Sequence, residues 1–137
     1  MRQNDICLLE LQSGKITQLT HSPAVYKSGL AVSPDGGRIA FTRSDPGRLE
    51  QIFVMNIDGS GTRRVSRGDN YDFLPRWSPD GTRIGFTSSR NGSMDIYTVR
   101  LDGTDLVNVT RTPGSLVTRP GITVVDVTET LWAWTKY

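Results

Sequence analysis

The chain has 137 residues, enough for one domain, but only 36% of them are hydrophobic, a low share for a self-contained core of that size. Its 16 basic and 14 acidic residues are interspersed and leave a net charge of +2, which provides no electrostatic footprint for nucleic acid or an anionic bilayer. The apolar runs are too short to insert into a membrane, and Cys7, the sole cysteine, has no intrachain disulfide partner. The start lacks a basic segment followed by an apolar stretch, so the chain reads as cytoplasmic, or as periplasmic if a leader has been removed.

Taken in chain order, "DICLLELQSGKITQLT" at 5–20 predicts two short strands about a tight turn. A unit over 28–66 follows: "LAVSPDGGRI" at 30–39, "RIAFTRS" at 38–44, a Gly-containing loop and "QIFVMNIDGSGTRRVS" at 51–66. A second unit over 73–110 repeats it with "PRWSPDGTRI", "RIGFTSS" and "DIYTVRLDGTDLVNVT", its Ser78 lying 45 positions after Ser33. Each unit reads as strand, tight turn, strand, loop, strand, tight turn, strand. Ile6, Ile52 and Ile96 fall in register, which makes 5–20 the outer half of a unit. Residues 118–136 read as an inner half, since Pro120 lies 45 after Pro75 and "WAWT" at 132–135 echoes "IAFT" and "IGFT".

The period is two, and apolar residues stand on both faces: Ile52 and Val54 on one, Phe53, Met55 and Ile57 on the other. Such strands are covered on both sides. Within Ser-Pro-Asp-Gly, proline presets φ, glycine supplies the left-handed conformation and the serine can bond back to the turn. The motif is turn chemistry, and no Gly-x-Ser-x-Gly nucleophile elbow occurs.

"PRWSPDGTRIGFTSSRNGSMDIYTVRLDGTDLVNVT" resembles the WD40-like PD40 repeat of TolB-like six-bladed β-propellers, a repeat also found in tricorn-related proteins and in propeller domains of prolyl oligopeptidase-type peptidases. The resemblance implies an all-β fold of four-stranded antiparallel blades, with Pro75, Trp77, Ser78, Pro79, Asp80, Gly81 and Phe86 in structural roles. Val32 and Ile122 stand where Trp77 stands and are expected to keep that core position apolar. One chain then supplies three repeats of a single domain over 1–137, cut within the blade. Two chains exchanging half-blades would close a six-bladed homodimer, with Ile6, Leu8 and Leu11 of one subunit in a sheet with the strand of Trp132 and Trp134 of the other.

Candidate chemistry is sparse. His21 is the sole histidine and has no ligand-spaced partner; no metal or other cofactor is expected. Asp69, Asn70 and Asp72 cluster oxygens but lack the Gly and Glu positions of a calcium loop. Cys7, aligned with Phe53 and Tyr97, is expected to be a buried, inert thiol. Asn91-Gly92-Ser93 and Asn108-Val109-Thr110 fit the glycosylation sequon by a short motif that arises readily by chance.

The remaining candidate is a surface. In an antiparallel blade the second-to-third strand loop and the loop to the next blade emerge together, opposite the Ser-Pro-Asp-Gly and Asp-Gly turns. That loop face is expected to gather His21, Tyr26, Lys27, Arg67, Tyr71, Asp72, Arg90, Arg111 and Arg119 around a channel mouth. Tyrosine and arginine are the residues that most often anchor partners. The expected function is a non-catalytic scaffold for a protein or peptide. The alternative is the propeller portion of a peptidase, or a hydrolase or lyase with its site in the channel.

Overall fold

In a computed structural model, residues 5–22 and 25–110 are described. The expectations placed on 118–136, Arg111, Arg119, Ile122, Trp132 and Trp134 lie outside them. Ten antiparallel strands form three sheets, with no helix among the described residues. β1 (Cys7–Leu9) pairs with β2 (Ile16–Gln18). β3 (Tyr26–Val32), β4 (Arg38–Ser44), β5 (Gln51–Asn56) and β6 (Arg63–Arg64) form a meander in chain order. β7 (Asp72–Trp77), β8 (Arg83–Ser88), β9 (Asp95–Arg100) and β10 (Val107–Asn108) form another.

The turns show why the strands reverse where they do. In the first Ser-Pro-Asp-Gly, Gly36 N donates to Ser33 O at 2.8 Å, while Ser33 Oγ accepts from Arg38 N at 2.9 Å and donates to Asp35. Ser78, Asp80, Gly81 and Arg83 repeat these bonds. Gly36 and Gly81 take φ of 71° and 68°, the left-handed region where a Cβ is costly. Asp35 is held below the ordinary carboxylate range by the Ser33 hydroxyl and Gly37 N, and Asp80 is brought to about 2 by the Ser78 hydroxyl and by Thr82. These serines and aspartates are consumed by the turn.

Strands covered on both faces build their cores between sheets. Ala40, Ile52, Val54 and Val65 pack against Trp77, Ile84, Phe86, Tyr97 and Val99 of the following sheet. Ile6 and Leu19 of the first hairpin pack against Ile39, Phe41 and Met55. Trp77 fastens the larger interface: its indole is 8% exposed, its Nε1 donates to Ala31 O at 2.9 Å, and the Arg38 guanidinium lies 5.7 Å from the ring centroid. The innermost strands carry a bulge, with Gly29 at φ 59° and its counterpart Leu74 at φ 55°.

Two expectations are corrected by this one-directional packing. Cys7 is exposed rather than buried. Phe53 and Tyr97, in register with it, turn towards the preceding sheet, and no sheet precedes β1–β2 among the described residues. Val32 is 58% exposed although it aligns with Trp77. Trp77 rests on the innermost strand of the sheet before it, whereas β1–β2 supplies only outer strands to the sheet holding Val32.

Removing the Trp77 side chain should therefore be expensive. Trp77→Ala is expected to lose about 3–5 kcal/mol in chemical denaturation, whereas Val32→Ala, which removes a much smaller side chain, should lose no more than about 1.5 kcal/mol. Equal losses at the two sites would contradict the directional packing.

Candidate functional site

The loop end of each sheet is organised by a hydroxyl clamp. Ile6 N donates to Thr20 Oγ1 at 2.9 Å, Ile52 N to Ser66 Oγ at 2.9 Å and Ile96 N to Thr110 Oγ1 at 3.0 Å. Each hydroxyl in turn donates to the side chain before that isoleucine: Thr20 to Asp5 at 2.8 Å, Ser66 to Gln51 at 3.3 Å and Thr110 to Asp95 at 2.8 Å. The clamp ties the fourth strand to the start of the third, where a two-residue strand such as β6 or β10 has little ladder of its own.

Asp5 shows how a clamp reaches the next sheet. Besides Thr20, it accepts from Gln18 Nε2 at 3.0 Å, Ser22 N at 3.2 Å and Lys27 Nζ at 3.1 Å. The Thr20 bond and the Lys27 ammonium bring its carboxyl down to about 2, against an opposing push from burial. Lys27 also donates to the carbonyls of Ser22 and Val25, and its side chain is 3% exposed. Arg90 has a similar internal role: its Nη2 meets both oxygens of the fully buried Asp72 at 2.9 and 3.0 Å, and its plane covers Phe86 and Tyr97.

The expected loop-face residues therefore divide. Lys27, Asp72 and Arg90 are at the predicted end of the sheets but spend their charge on internal pairs. The occupation of Asp72 by Arg90 also breaks up the oxygen cluster with Asp69 and Asn70. His21 is exposed and shares a cavity of about 200 Å³ with Lys27, Phe41, Arg43 and Thr62. Tyr26 and Tyr71 occupy equivalent positions at the loop end of adjacent innermost strands, each 48% exposed. Tyr71 is held by Ser89, whose Oγ accepts from Tyr71 N at 3.1 Å and whose N donates to Tyr71 O at 3.0 Å. Arg67 is exposed but follows the outermost strand and lies beside Gly103, at the tip of the next sheet's outer hairpin. Its place is the rim. Arg43, Arg48 and Arg64 border a groove at this end that the sequence did not reveal, because Arg43 and Arg64 lie in segments that carry a strand pattern and Arg48 in the loop between them.

Stacked four-stranded meanders have clear counterparts among known proteins. The sequence profile of the PD40 family, the TolB beta propeller domain, matches residues 1–127. The chain belongs to the TolB β-propeller family. Relatives include Dipeptidyl-peptidase 5 of Porphyromonas endodontalis, 34% identical over 93 residues that make up 64% of this chain and 14% of that protein. Tol-Pal system protein TolB of Desulfosudis oleivorans is 29% identical over 107 residues, 78% of this chain and 20% of that protein. An uncharacterised protein of Agrobacterium fabrum is 37% identical over 108 residues, 77% of this chain and 35% of that protein. This TolB-family chain thus spans 14–35% of the length of these relatives. In three dimensions, TolB from Acinetobacter baumannii superposes with a TM-score of 0.67 at 27% identity, over 77% of this chain and 26% of that one. Puromycin hydrolase shares the fold at a TM-score of 0.57 and 20% identity, over 71% of this chain and 16% of its own.

The internal pair separates structural from surface arginines. Arg90→Ala leaves Asp72 buried without its partner and is expected to lose about 3–5 kcal/mol in denaturant titration; Arg67→Ala should stay within about 0.5 kcal/mol of the parent.

Proposed function

We propose that the chain is a non-catalytic β-propeller scaffold that binds a protein or peptide through its loop face. The observation that carries this reading is the matched placement of Tyr26 and Tyr71, half-exposed aromatic side chains at the same level of neighbouring innermost strands. Two large amphipathic rings on a fixed backbone lose little conformational freedom on binding, which is why tyrosine recurs at interface centres. His21, Arg111 and Arg119 would contribute around and beyond this pair, with Arg67 at the rim beside Gly103, while Lys27, Asp72 and Arg90 hold the face in shape. The likeness to the Tol-Pal system protein TolB supports a protein partner. The double variant Tyr26→Ala/Tyr71→Ala is expected to lose a partner retained by the immobilised chain, with little change in melting temperature. Loss of the partner on substituting Asp58 and Asp102 instead, at the opposite turns, would overturn the reading.

The same proposal includes ring closure by a homodimer. Among the described residues, Cys7 and Leu9 of β1 are open on the face that the other sheets cover, Leu11 in the adjoining turn is exposed, and Val32 has no inner-strand neighbour. A hairpin from 118–136 of a second chain has the sequence pattern to fill that gap, and two chains of three blades make six, within the usual range of about 4–8. Light scattering is expected to give twice the 15.2 kDa chain mass, with the Cys7 thiol protected from a disulfide reagent until the particle dissociates. A folded monomer with a freely reactive Cys7 would contradict closure by exchange.

The likeness to Dipeptidyl-peptidase 5 favours a second reading, in which these blades belong to a peptidase-type hydrolase and gate its substrate. Hydrolysis of a dipeptidyl chromogenic substrate by this chain would displace the scaffold reading.

A further inference from the structure

The two complete sheets are internal controls for each other, and at the loop end they differ. In β7–β10 the Arg90 guanidinium fills the space over Phe86 and Tyr97, 5.4 and 4.9 Å from their centroids, and Asp72 fixes it there. In β3–β6 the residue in register with Asp72 is Lys27, which is drawn across to Asp5, and the residue in register with Arg90 is Asp45. Arg43, paired with Asp45, takes the matching place over Phe53, and beside it lies a groove of about 810 Å³ lined by Phe53, Leu49, Arg43, Arg48 and Arg64.

We propose that this groove is the docking site for an acidic segment of the protein partner, a refinement that rests on the protein-binding reading above. Arg43 is neutralised by Asp45 at 2.7 Å and lies over the Phe53 ring, 4.9 Å from its centroid. Arg64 donates to the carbonyls of Ser66 and Gly68 and to the Gln51 side chain, all neutral acceptors. Arg48 is exposed, and neither Arg48 nor Arg64 has an ion-pair partner among the described residues. Against these two guanidinium charges the lining holds one further carboxylate, Asp69. Guanidinium groups bind carboxylates through paired N–H donors and are less strongly hydrated than ammonium groups, so an arriving Glu or Asp side chain is well matched. Phe53, partly buried in the lining of the same groove, offers the methylenes of that side chain an apolar edge.

The test is fluorescence anisotropy of rhodamine-labelled hexaglutamate with the full chain, with labelled hexaserine as the uncharged control. Saturable binding of hexaglutamate below about 1 mM is expected, weakened about tenfold or more by Arg48→Glu, and unchanged by Lys15→Glu on the turn end of the first hairpin. Arg48→Gln serves as the second variant, with the same direction of effect, should Arg48→Glu lower the melting temperature. Equal binding of hexaserine, absence of saturable binding, or affinity unaltered in both Arg48 variants would overturn the proposal. A partner still retained by Arg48→Glu but lost by Tyr26→Ala/Tyr71→Ala would sink the groove and leave the loop-face reading standing.

Discussion

The packing of one sheet onto the next is the constraint from which the other features follow. A four-stranded sheet with apolar side chains on both faces cannot finish its core alone, and among the described residues the middle sheet, β3–β6, is covered on one face by the first hairpin and on the other by β7–β10. The contact has a direction: Trp77, Phe86 and Tyr97 reach back to the preceding sheet, whereas Ala40, Ile52 and Val54 receive the following one. The indole bond from Trp77 to the Ala31 carbonyl fixes the relative height of the two sheets, since a buried indole N–H without an acceptor would be costly. Exposure of Cys7 and Val32 and burial of Ile6 are consequences of the same rule at the first hairpin.

Rigid stacking also decides which polar residues are free to meet a partner. At the turn end, Ser33, Ser78, Asp35 and Asp80 are bound into the backbone reversals. At the loop end, the hydroxyl clamps and the Asp5–Lys27 and Asp72–Arg90 pairs lock the short outer strands and the entry to the inner ones. Among the side chains that the scaffold holds in place but does not consume are the two half-exposed tyrosines, on which the proposed binding surface rests. The equivalent positions Arg90 and Asp45 show how a repeat architecture varies locally: in one blade the arginine over the ring is Arg90, paired with Asp72, and in the other it is Arg43, paired with Asp45.

Fold class was legible because it rests on local signals, the strand period and a turn motif that recurs after 45 positions. Burial of individual residues was less so, because it depends on which neighbour is present: alignment with Phe53 and Tyr97 led to the expectation of a buried Cys7, but alignment could not say whether a sheet would cover it, and Cys7 is exposed. Lys27, Asp72 and Arg90 looked like surface charges because their partners are 18 or 22 residues away in sequence. The clamp was within reach. Thr20, Ser66 and Thr110 each follow Asp5, Gln51 and Asp95 by 15 positions, a polar acceptor and hydroxyl at constant spacing that the strand pattern concealed.

The interface between successive sheets, more than either sheet by itself, holds the structure. Native-state hydrogen exchange on the parent and on Trp77→Ala tests it most directly, because it reports opening residue by residue. Loss of protection by the same amount at Ile52 and Val54 as at Ile84 and Phe86 is the predicted result, although the substitution lies in only one of the two sheets. A loss confined to β7–β10, with the amides of β4 and β5 unaffected, would show that each sheet stands alone and would contradict the account.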